Sequence, residues 1–294
     1  MPAKFFSATV MALFKSAPPL EAVVRALAAL GEVDLVAPTG GWLGGFPGLV
    51  FRFSRSDESR IVIDVVDRPW PDTMGHPQTD PDLFSCWCLG GFGPLVYPGC
   101  LERAVQHAHD AAGPAGQTVV PQHRAFVRVR KTSSPGAQPL TDLAELVVIV
   151  RALLDIPAAL AYFQPNGEVL LDVAELDANL DHSARTRIPA IELHVNLRLW
   201  CVEDVDNRSL FDTVGMGQFL VPDLEVLFDT RLHSEETVAR FVRNVSLHQL
   251  QQGDVLLDGD TVGGPGGSWR VERRDESRVA PPRSVIRLAA EVRS

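Results

Sequence analysis

The chain has 294 residues, 46% of them apolar and 22% charged, and a formal net charge of −10. The composition is typical of a globular protein, and the length suits two modest hydrophobic cores better than one. The negative charge argues against nucleic acid and anionic lipid as partners, and no apolar run reaches the roughly 20 residues needed to span a bilayer.

The N-terminal third predicts strands around one amphipathic helix. Residues 6–14 predict a buried strand, although residues 4–14 also resemble a short signal segment, with a lysine before an apolar run. A helix is predicted to begin at Leu20, because apolar residues then recur at helical spacing, and to end at Gly31. Three further strands are predicted at residues 33–37, 49–53 and 61–66.

Residues 87–104 are the most unusual part of the sequence, and we refer to them as the connecting stretch. Their prolines and glycines exclude a long helix or a central strand. We predict a fixed turn that leads into a helix over residues 101–111 and joins two lobes. Trp87 and Arg103 are the candidate binding residues if this turn also lines a cleft.

The second half of the chain repeats the order of elements in the first half. We predict a strand at residues 125–129 and, after Pro139-Leu140, a helix that runs to about Asp155. Two more strands, at residues 158–163 and 168–171, are joined by a Pro-Asn-Gly turn whose asparagine and glycine tolerate positive φ.

A short internal similarity supports this interpretation. Val23–Leu27 and Ile149–Leu153 both end in Val-Arg-Ala-Leu within predicted helices, which indicates a weak repeat. We therefore predict an α+β protein with two related strand-helix-strand-strand lobes, antiparallel or mixed sheets, and helices packed on one face. The predicted lobes are residues 1–122 and residues 123–294.

The C-terminal part predicts one long helix among strands. Residues 172–188 are acidic and predict a surface loop or short helix, residues 191–202 predict the longest strand, and residues 204–217 predict a polar connection. Ser234 is placed to cap a helix over residues 235–251, because its hydroxyl can accept from an unpaired backbone amide. The remaining strands are predicted at residues 224–228, 254–262, 269–272 and 284–289.

Cysteines and histidines, the preferred ligands of zinc, cluster around the start of the connecting stretch. Cys86 and Cys88 are separated by one residue, however, whereas zinc knuckles separate their cysteines by two to four. We predict no metal site and no cofactor, with Cys86, Cys88 and His107 as the alternative ligand set. Four cysteines are too few for a disulfide scaffold and favour a reducing compartment, so we expect a cytoplasmic protein.

No established catalytic motif is present in the sequence. The glycine-rich segments at residues 40–48 and 263–267 lack the ending of a phosphate-binding loop, and no Gly-x-Ser-x-Gly motif occurs. The remaining candidates for acid–base chemistry are His123, Asp212 and Asp223.

Short motifs are spread along the chain from residue 87 onward. They are Trp87-x-x-Gly90-x-Phe92-Gly93-Pro94, Pro98-Gly99-x-Leu101-x-Arg103-Ala104, His123-x-Ala125-Phe126-Val127-Arg128, Asp142-x-x-x-Glu145-Leu146, Tyr162-Phe163-x-x-x-Gly167-Glu168-Val169-Leu170, Asp212-x-x-Gly215-Met216, Pro222-Asp223-Leu224, Asp258-Gly259-Asp260-Thr261 and Pro282-Arg283-x-Val285. Together they resemble a bacterial family, domain of unknown function 4261 (DUF4261). The resemblance implies a soluble bacterial protein with no established activity, and it transfers no catalytic residue.

Two functions of different classes remain open. The first is a non-catalytic cytoplasmic protein that binds another protein, which we predict because the surface is acidic and no catalytic constellation is evident. The alternative is a hydrolase or metal-dependent enzyme. Its site would lie between the two lobes, where the connecting stretch would meet His123, Asp212 and Asp223.

Overall fold

The computed structural model describes residues 7–36, 42, 46–53, 61–106, 108, 114–132, 138–202 and 207–290. These residues form two β-sheets, seven α-helices and two 3-10 helices, which confirms the predicted α+β class. No helix within them is both long enough and apolar enough to cross a membrane. Of the segment that resembles a signal, residues 4–6 lie outside the described ranges and the rest forms a strand.

Sheet 1 contains seven strands. Their bounds are Ser7–Phe14 (β1), Gly31–Val36 (β2), Gly48–Phe53 (β3), Ile61–Val66 (β4), Ala125–Thr132 (β5), Ala159–Gln164 (β6) and Val169–Leu171 (β7). Their spatial order is β2-β3-β4-β5-β1-β6-β7, and all neighbouring pairs are antiparallel. The first strand of the chain therefore lies inside the sheet, between β5 and β6.

Helices cover both faces of sheet 1, whereas the sequence predicted helices on one face. Alternation along β1 sends Val10 into one apolar cluster and Met11 into the other, so both faces need a covering layer. The helices on the Val10 side are Leu20–Leu27 (α1), Pro139–Leu153 (α5) and Val173–Thr186 (α6). Those on the Met11 side are Pro81–Cys88 (α2), Cys100–Gln106 (α3) and Pro114–Gln122 (α4).

The two predicted strand-helix-strand-strand units contribute to this one sheet instead of forming separate lobes. β5, which opens the second unit, pairs with β1 and β4 of the first unit over its length. The predicted boundary at residues 122/123 consequently does not follow the division between the sheets. That division falls after Leu171, the last residue of sheet 1, and before Asn196, the first residue of sheet 2.

Sheet 2 contains six strands and is covered on one face by a single long helix. The strands are Asn196–Cys201 (β8), Arg208–Val214 (β9), Asp223–Asp229 (β10), Thr261–Gly264 (β11), Gly267–Arg274 (β12) and Val285–Ala290 (β13), in the order β11-β12-β13-β10-β9-β8. Only the β10–β13 pair is parallel. Phe211, Val226 and Leu288 pack with Val238 and Val242 of helix Glu235–Gln252 (α7).

Strand alternation places a different set of residues on the opposite face of sheet 2. Arg198, Asp212, Glu225 and Arg287 alternate with the residues that pack against α7 and therefore point away from that helix. This face is charged, and Glu276–Arg283 crosses it, with the backbone amide of Arg278 donating to Glu225.

Most predicted elements are confirmed, including the Ser234 cap, whose hydroxyl accepts from the Thr237 amide. Helices α2 and α4 were not predicted, and four predicted segments differ from the structure. Residues 204–217, predicted as a connection, contain β9, and residues 191–202, predicted as one strand, begin with the 3-10 helix Ile191–Leu193 before β8. Residues 172–188, predicted as a loop or short helix, contain the 14-residue helix Val173–Thr186 (α6). Residues 254–262, predicted as a strand, contribute only the start of β11.

Candidate functional site

The connecting stretch is held firmly against sheet 1 by two buried polar side chains. Arg128 of β5, which is fully buried, donates to the backbone carbonyls of Gly91 and Trp42 at 3.0 and 2.9 Å. It is also paired with Asp64 of β4 at 2.6 Å. Asn166 accepts from the Leu95 amide at 3.2 Å. These bonds confirm a fixed turn that leads into α3.

Trp87, a predicted binding residue, lies in the core of this turn. It is buried among Trp70, Phe92, Phe126 and Phe163, with ring centroids of neighbouring pairs 4.6–6.0 Å apart. Edge-to-face aromatic packing of this kind stabilises a core. The position of Trp87 is therefore explained by packing and leaves its ring inaccessible to a ligand.

The alternative metal ligands do not converge among the described residues. Cys86 and Cys88 lie on helix α2, where Cys86 is buried and Cys88 exposed, and His107 lies outside the described residues. Burial raises the pKa of the Cys86 thiol, although Arg128 nearby opposes this shift. The residues that the structure describes contain no group of three His, Cys, Asp or Glu side chains suited to a metal ion.

His123 is separated from its predicted catalytic partners. Its Nδ1 lies 2.5 Å from the Val120 carbonyl, and its Nε2 is buried without a hydrogen-bond partner in the described part of the chain. Burial lowers the pKa of this imidazole, so the neutral form is favoured. Among the described residues no hydrogen bond or ion pair joins His123 to Asp212 or Asp223.

The β6–β7 turn, Pro165–Glu168, belongs to sheet 1 and contacts sheet 2. The Asn196 amide of β8 donates to the Gly167 carbonyl at 3.2 Å, and the Asn196 side chain donates to the Glu168 carbonyl at 2.8 Å. Gly167 is so close to the next element that a Cβ atom would lie 1.8 Å from the His194 carbonyl oxygen. The turn motif was predicted from sequence, whereas its docking on sheet 2 was not.

A buried chain of alternating charges crosses the same interface. Arg103 of α3 pairs with Glu168 at 2.5 Å, and the other Glu168 oxygen accepts from Arg198 of β8 at 3.1 Å. Arg198 is fully buried and binds both oxygens of Asp212 on β9, at 3.1 and 2.5 Å. Trp200 adds an indole N–H bond to Asp212 at 2.9 Å. We call Arg103, Glu168, Arg198 and Asp212 the ion ladder.

Arg283 extends the ion ladder to Asp223. Its guanidinium bonds to Asp212, lies 3.3 Å from a carboxylate oxygen of Asp223, and donates to the Thr213 carbonyl. The other oxygen of Asp223 accepts from the Thr213 hydroxyl at 2.9 Å and from the Met216 amide at 3.0 Å. The predicted pair Asp212 and Asp223 is thus brought together, with an arginine between the two carboxylates.

The two carboxylates have different protonation tendencies. Burial alone would raise the pKa of Asp212, but Arg198 and Arg283 outweigh it, so the pKa of Asp212 is lowered. Burial raises the pKa of Asp223, against the opposing effect of Arg283. Asp212 is therefore a poor proton acceptor at neutral pH, because a general base needs a pKa near the working pH.

A cleft of about 380 Å³ lies where the connecting stretch meets sheet 2. Its floor includes Asp223 and Arg283, and its walls include Leu95, Tyr97 and Leu220. These three wall residues are exposed to solvent: Leu95 by 40%, Tyr97 by 38% and Leu220 by 62%. Leu220 also has a positive φ of 65°, which is uncommon for a bulky residue and costly unless the surroundings impose it.

Two members of the ion ladder, Glu168 and Arg198, and the arginine that extends it, Arg283, were not among the predicted site residues. A signal for one of them was present, since Arg198 stands between Leu197 and Leu199 in a strand pattern. Alternation places such an arginine on the face opposite the leucines, where it needs a carboxylate partner if buried.

Acid is expected to destabilise the protein partly through His194, next to the docked turn. Burial lowers the pKa of His194 to about 3, against 6.5 for an ordinary histidine. The unfolded chain therefore binds a proton that the folded chain excludes, and stability falls as pH drops below about 6.5 and continues to fall toward 3. From pH 7 to pH 5 we expect His194 to account for a loss of about 2 kcal/mol.

Urea denaturation at both pH values measures this contribution. His194→Gln is expected to lose less stability between pH 7 and pH 5 than the wild type does. His248→Gln, a change at an exposed position on α7, is the matched control and should retain the wild-type pH dependence. Parallel pH profiles for the wild type and His194→Gln would contradict the prediction.

Residues 212–289 match a family model described as Domain of unknown function (DUF4261). The match confirms the resemblance from Asp212 in β9 to Ala289 in β13, a segment that carries Asp212, Asp223 and Arg283 of the site. The motifs between Trp87 and Leu170 lie outside the matched residues. No curated protein and no solved structure matches the chain.

Proposed function

We propose that this protein is a non-catalytic cytoplasmic protein of bacterial origin that binds another protein through the cleft between the connecting stretch and sheet 2. One observation carries the proposal: the acidic groups at the cleft floor are held by arginines while apolar side chains are exposed on its walls. Arginine-paired carboxylates stabilise structure, and exposed apolar side chains grouped around a cleft are typical of interaction sites.

The apolar side chains on the cleft walls and the net charge of the chain indicate what kind of partner surface would bind. Leu95, Tyr97 and Leu220 suit apolar or aromatic side chains of a partner segment, because such anchors carry most of the binding energy of protein interfaces. The net charge of −10 favours association with a basic surface. The expected partner is therefore a protein that presents an apolar segment on a basic surface.

Leu220→Asp is expected to abolish this interaction. Aspartate tolerates the positive φ at this position better than leucine does, so the fold should be retained. We expect the affinity for the partner to fall at least about 30-fold, the effect of losing a central apolar anchor. The measurement is capture from an extract of the source organism on immobilised full-length protein, followed by affinity measurement with the captured partner.

Leu35→Asp is the matched control for this experiment. Leu35 is 67% exposed, similar to the 62% of Leu220, and lies on β2, the edge strand of sheet 1 farthest from β7. The control should capture the same partner as the wild type. Capture of the same proteins in equal amounts by all three forms would exclude the cleft as the binding surface.

The alternative function, a hydrolase or metal-dependent enzyme, is favoured by one observation. Asp223 lines the cleft with a raised pKa, a property common in catalytic acids and bases. Asp212 is engaged by two arginines and His123 by the Val120 carbonyl, so neither supports Asp223 directly. Hydrolysis of an ester or phosphoester substrate that Asp223→Asn abolishes, while protein capture is unchanged, would establish this alternative.

A further inference from the structure

The segment Glu276–Arg283 covers part of the face of sheet 2 that lies opposite α7, and a cleft of about 390 Å³ remains beside it. We call it the sheet-face cleft. Its floor includes Leu210, Leu227 and Ala289, from the neighbouring strands β9, β10 and β13. A cleft of this size can hold a small molecule. None of the described residues lines both this cleft and the one at the connecting stretch.

Three carboxylates line the sheet-face cleft, and each one is already paired with an arginine. The pairs are Glu225 with Arg287 at 2.7 Å, Asp229 with Arg231 at 2.6 Å, and Glu272 with Arg274 at 2.6 Å. Hydrogen bonding from Arg231, supplemented by the nearby charge of Arg208, lowers the pKa of Asp229 to about 2. The negative charges of the lining are therefore compensated, and they do not exclude an anionic ligand.

Two further arginines, Arg208 and Arg278, line the sheet-face cleft with exposed side chains. Within the described part of the chain, neither guanidinium forms a hydrogen bond or an ion pair. Five arginines and three carboxylates in and around this cleft leave an excess of two positive charges, in a chain whose net charge is −10. A guanidinium binds a carboxylate through two parallel hydrogen bonds, so the excess favours an anionic ligand.

The two excess arginines are anchored at opposite ends of the apolar floor. The backbone amide of Arg278 donates to the Glu225 carboxylate at 2.5 Å, whereas Arg208 lies directly opposite Asp229 in the register of β9 and β10. Glu225 and Asp229 are four residues apart on one strand, which corresponds to about 13 Å. Leu227 lies midway between them and pairs with Leu210. A ligand that contacts both arginines therefore needs a negative group at each end and an apolar middle.

We propose that the sheet-face cleft binds a linear dicarboxylic acid, with one carboxylate at Arg278, the other at Arg208, and the methylene chain over Leu227 and Leu210. A carboxylate is acceptor-only, and its two oxygens match the donors of one guanidinium. An acid with a single carboxylate would leave one arginine without a partner. A short dicarboxylate would not reach from one end of the apolar floor to the other.

Calorimetric titration of the full-length protein at neutral pH and low ionic strength tests the proposal with three acids. Suberate has eight carbons and two carboxylates, octanoate has the same length and one carboxylate, and succinate has two carboxylates and half the length. We expect saturable binding of one suberate per chain, and about tenfold weaker binding of octanoate and of succinate, because each of these engages only one arginine. Added salt should weaken suberate binding, since exposed charges are screened.

Arg208→Met and Arg278→Met are each expected to weaken suberate binding about tenfold, to the affinity of octanoate. Both variants should remain close to the wild type in urea denaturation, because neither guanidinium is bonded to a described residue. Arg240→Met is the matched control. It changes the net charge by the same amount, but Arg240 lies on α7, on the other side of sheet 2, and pairs with Glu236. The control should keep the wild-type affinity for suberate.

Absence of saturable suberate binding to the wild type overturns the proposal. Equal affinities for suberate and octanoate, or for suberate and succinate, also overturn it, because the two ends of the cleft would then not act together. The comparison of ligands uses the wild type alone, so it does not depend on the folding of any variant. A loss of affinity in Arg240→Met as large as in the two cleft variants would place the effect on overall charge and reject the site.

Discussion

Arg198→Met is expected to lower the free energy of unfolding by about 3–5 kcal/mol, the largest effect of a single change in the ion ladder. Arg198 is fully buried and neutralises Glu168 at 3.1 Å and Asp212 at 2.5 Å. Methionine keeps the aliphatic stem and removes the charge and all donors. Two carboxylates in the interface between the sheets then lose a partner in a region that water does not reach.

Urea denaturation, followed by circular dichroism and tryptophan fluorescence, measures the loss. Arg240→Met is the control, because Arg240 forms an exposed pair with Glu236 on α7. Exposed pairs of this spacing contribute about 0.3–0.5 kcal/mol, so the control should remain close to the wild type. A loss below about 1 kcal/mol for Arg198→Met would contradict the burial of the ladder.

Gly167→Ala is expected to destabilise the protein by about 3 kcal/mol, because the added methyl group meets backbone and not a movable side chain. A Cβ at this position would lie 1.8 Å from the carbonyl oxygen of His194 and 2.7 Å from its carbonyl carbon. To make room, the β6–β7 turn must move away from sheet 2. The bond from the Asn196 amide to the Gly167 carbonyl, 3.2 Å long, would then be lost.

Gly263→Ala is the matched control, since a Cβ at Gly263 would have no heavy atom within 4 Å. Its effect should stay within about 0.5 kcal/mol. Hydrogen exchange gives a second measurement, in which Gly167→Ala should accelerate exchange of the Asn196 amide. Equal stability of the two variants would show that the turn does not dock on sheet 2 as described.

Both predictions concern the interface that positions the cleft. The ion ladder and the docked turn hold α3 and the connecting stretch against sheet 2, and Leu95, Tyr97 and Leu220 line the cleft that results. A change in either should therefore weaken the proposed protein interaction in addition to stability. The Leu220→Asp variant separates the effect on binding from the effect on stability, because it changes a wall of the cleft and leaves the ion ladder intact.

Local signals in the sequence predicted many of the elements well. Helix α7 was predicted at residues 235–251 and observed at Glu235–Gln252, and β4 was predicted and observed at residues 61–66. Apolar periodicity and a serine cap act within a few residues, so the sequence displays them directly. The Pro-Asn-Gly turn between β6 and β7 was predicted for the same reason.

Prediction failed where charged residues interrupt the local pattern. β9 was interpreted as a polar connection because Asp212 and Thr213 stand within it, yet both are buried and bonded to partners elsewhere. The acidic segment that forms α6 was expected to be a loop or short helix. Its Asp172 and Glu175 form a capping box, which supports a full 14-residue helix.

The sequence by itself determined the α+β class, most helix and strand positions, and the choice of Arg103, Asp212 and Asp223 as residues of interest. Only the tertiary structure decided that both predicted strand-helix-strand-strand units share sheet 1 and that the ion ladder joins sheet 1 to sheet 2. The reason is distance along the chain: β5 pairs with β1 more than a hundred positions away, and Arg198 binds Glu168 across a separation of 30 residues. Strand pairing and charge pairing depend on which segments meet in space, and no local pattern records that.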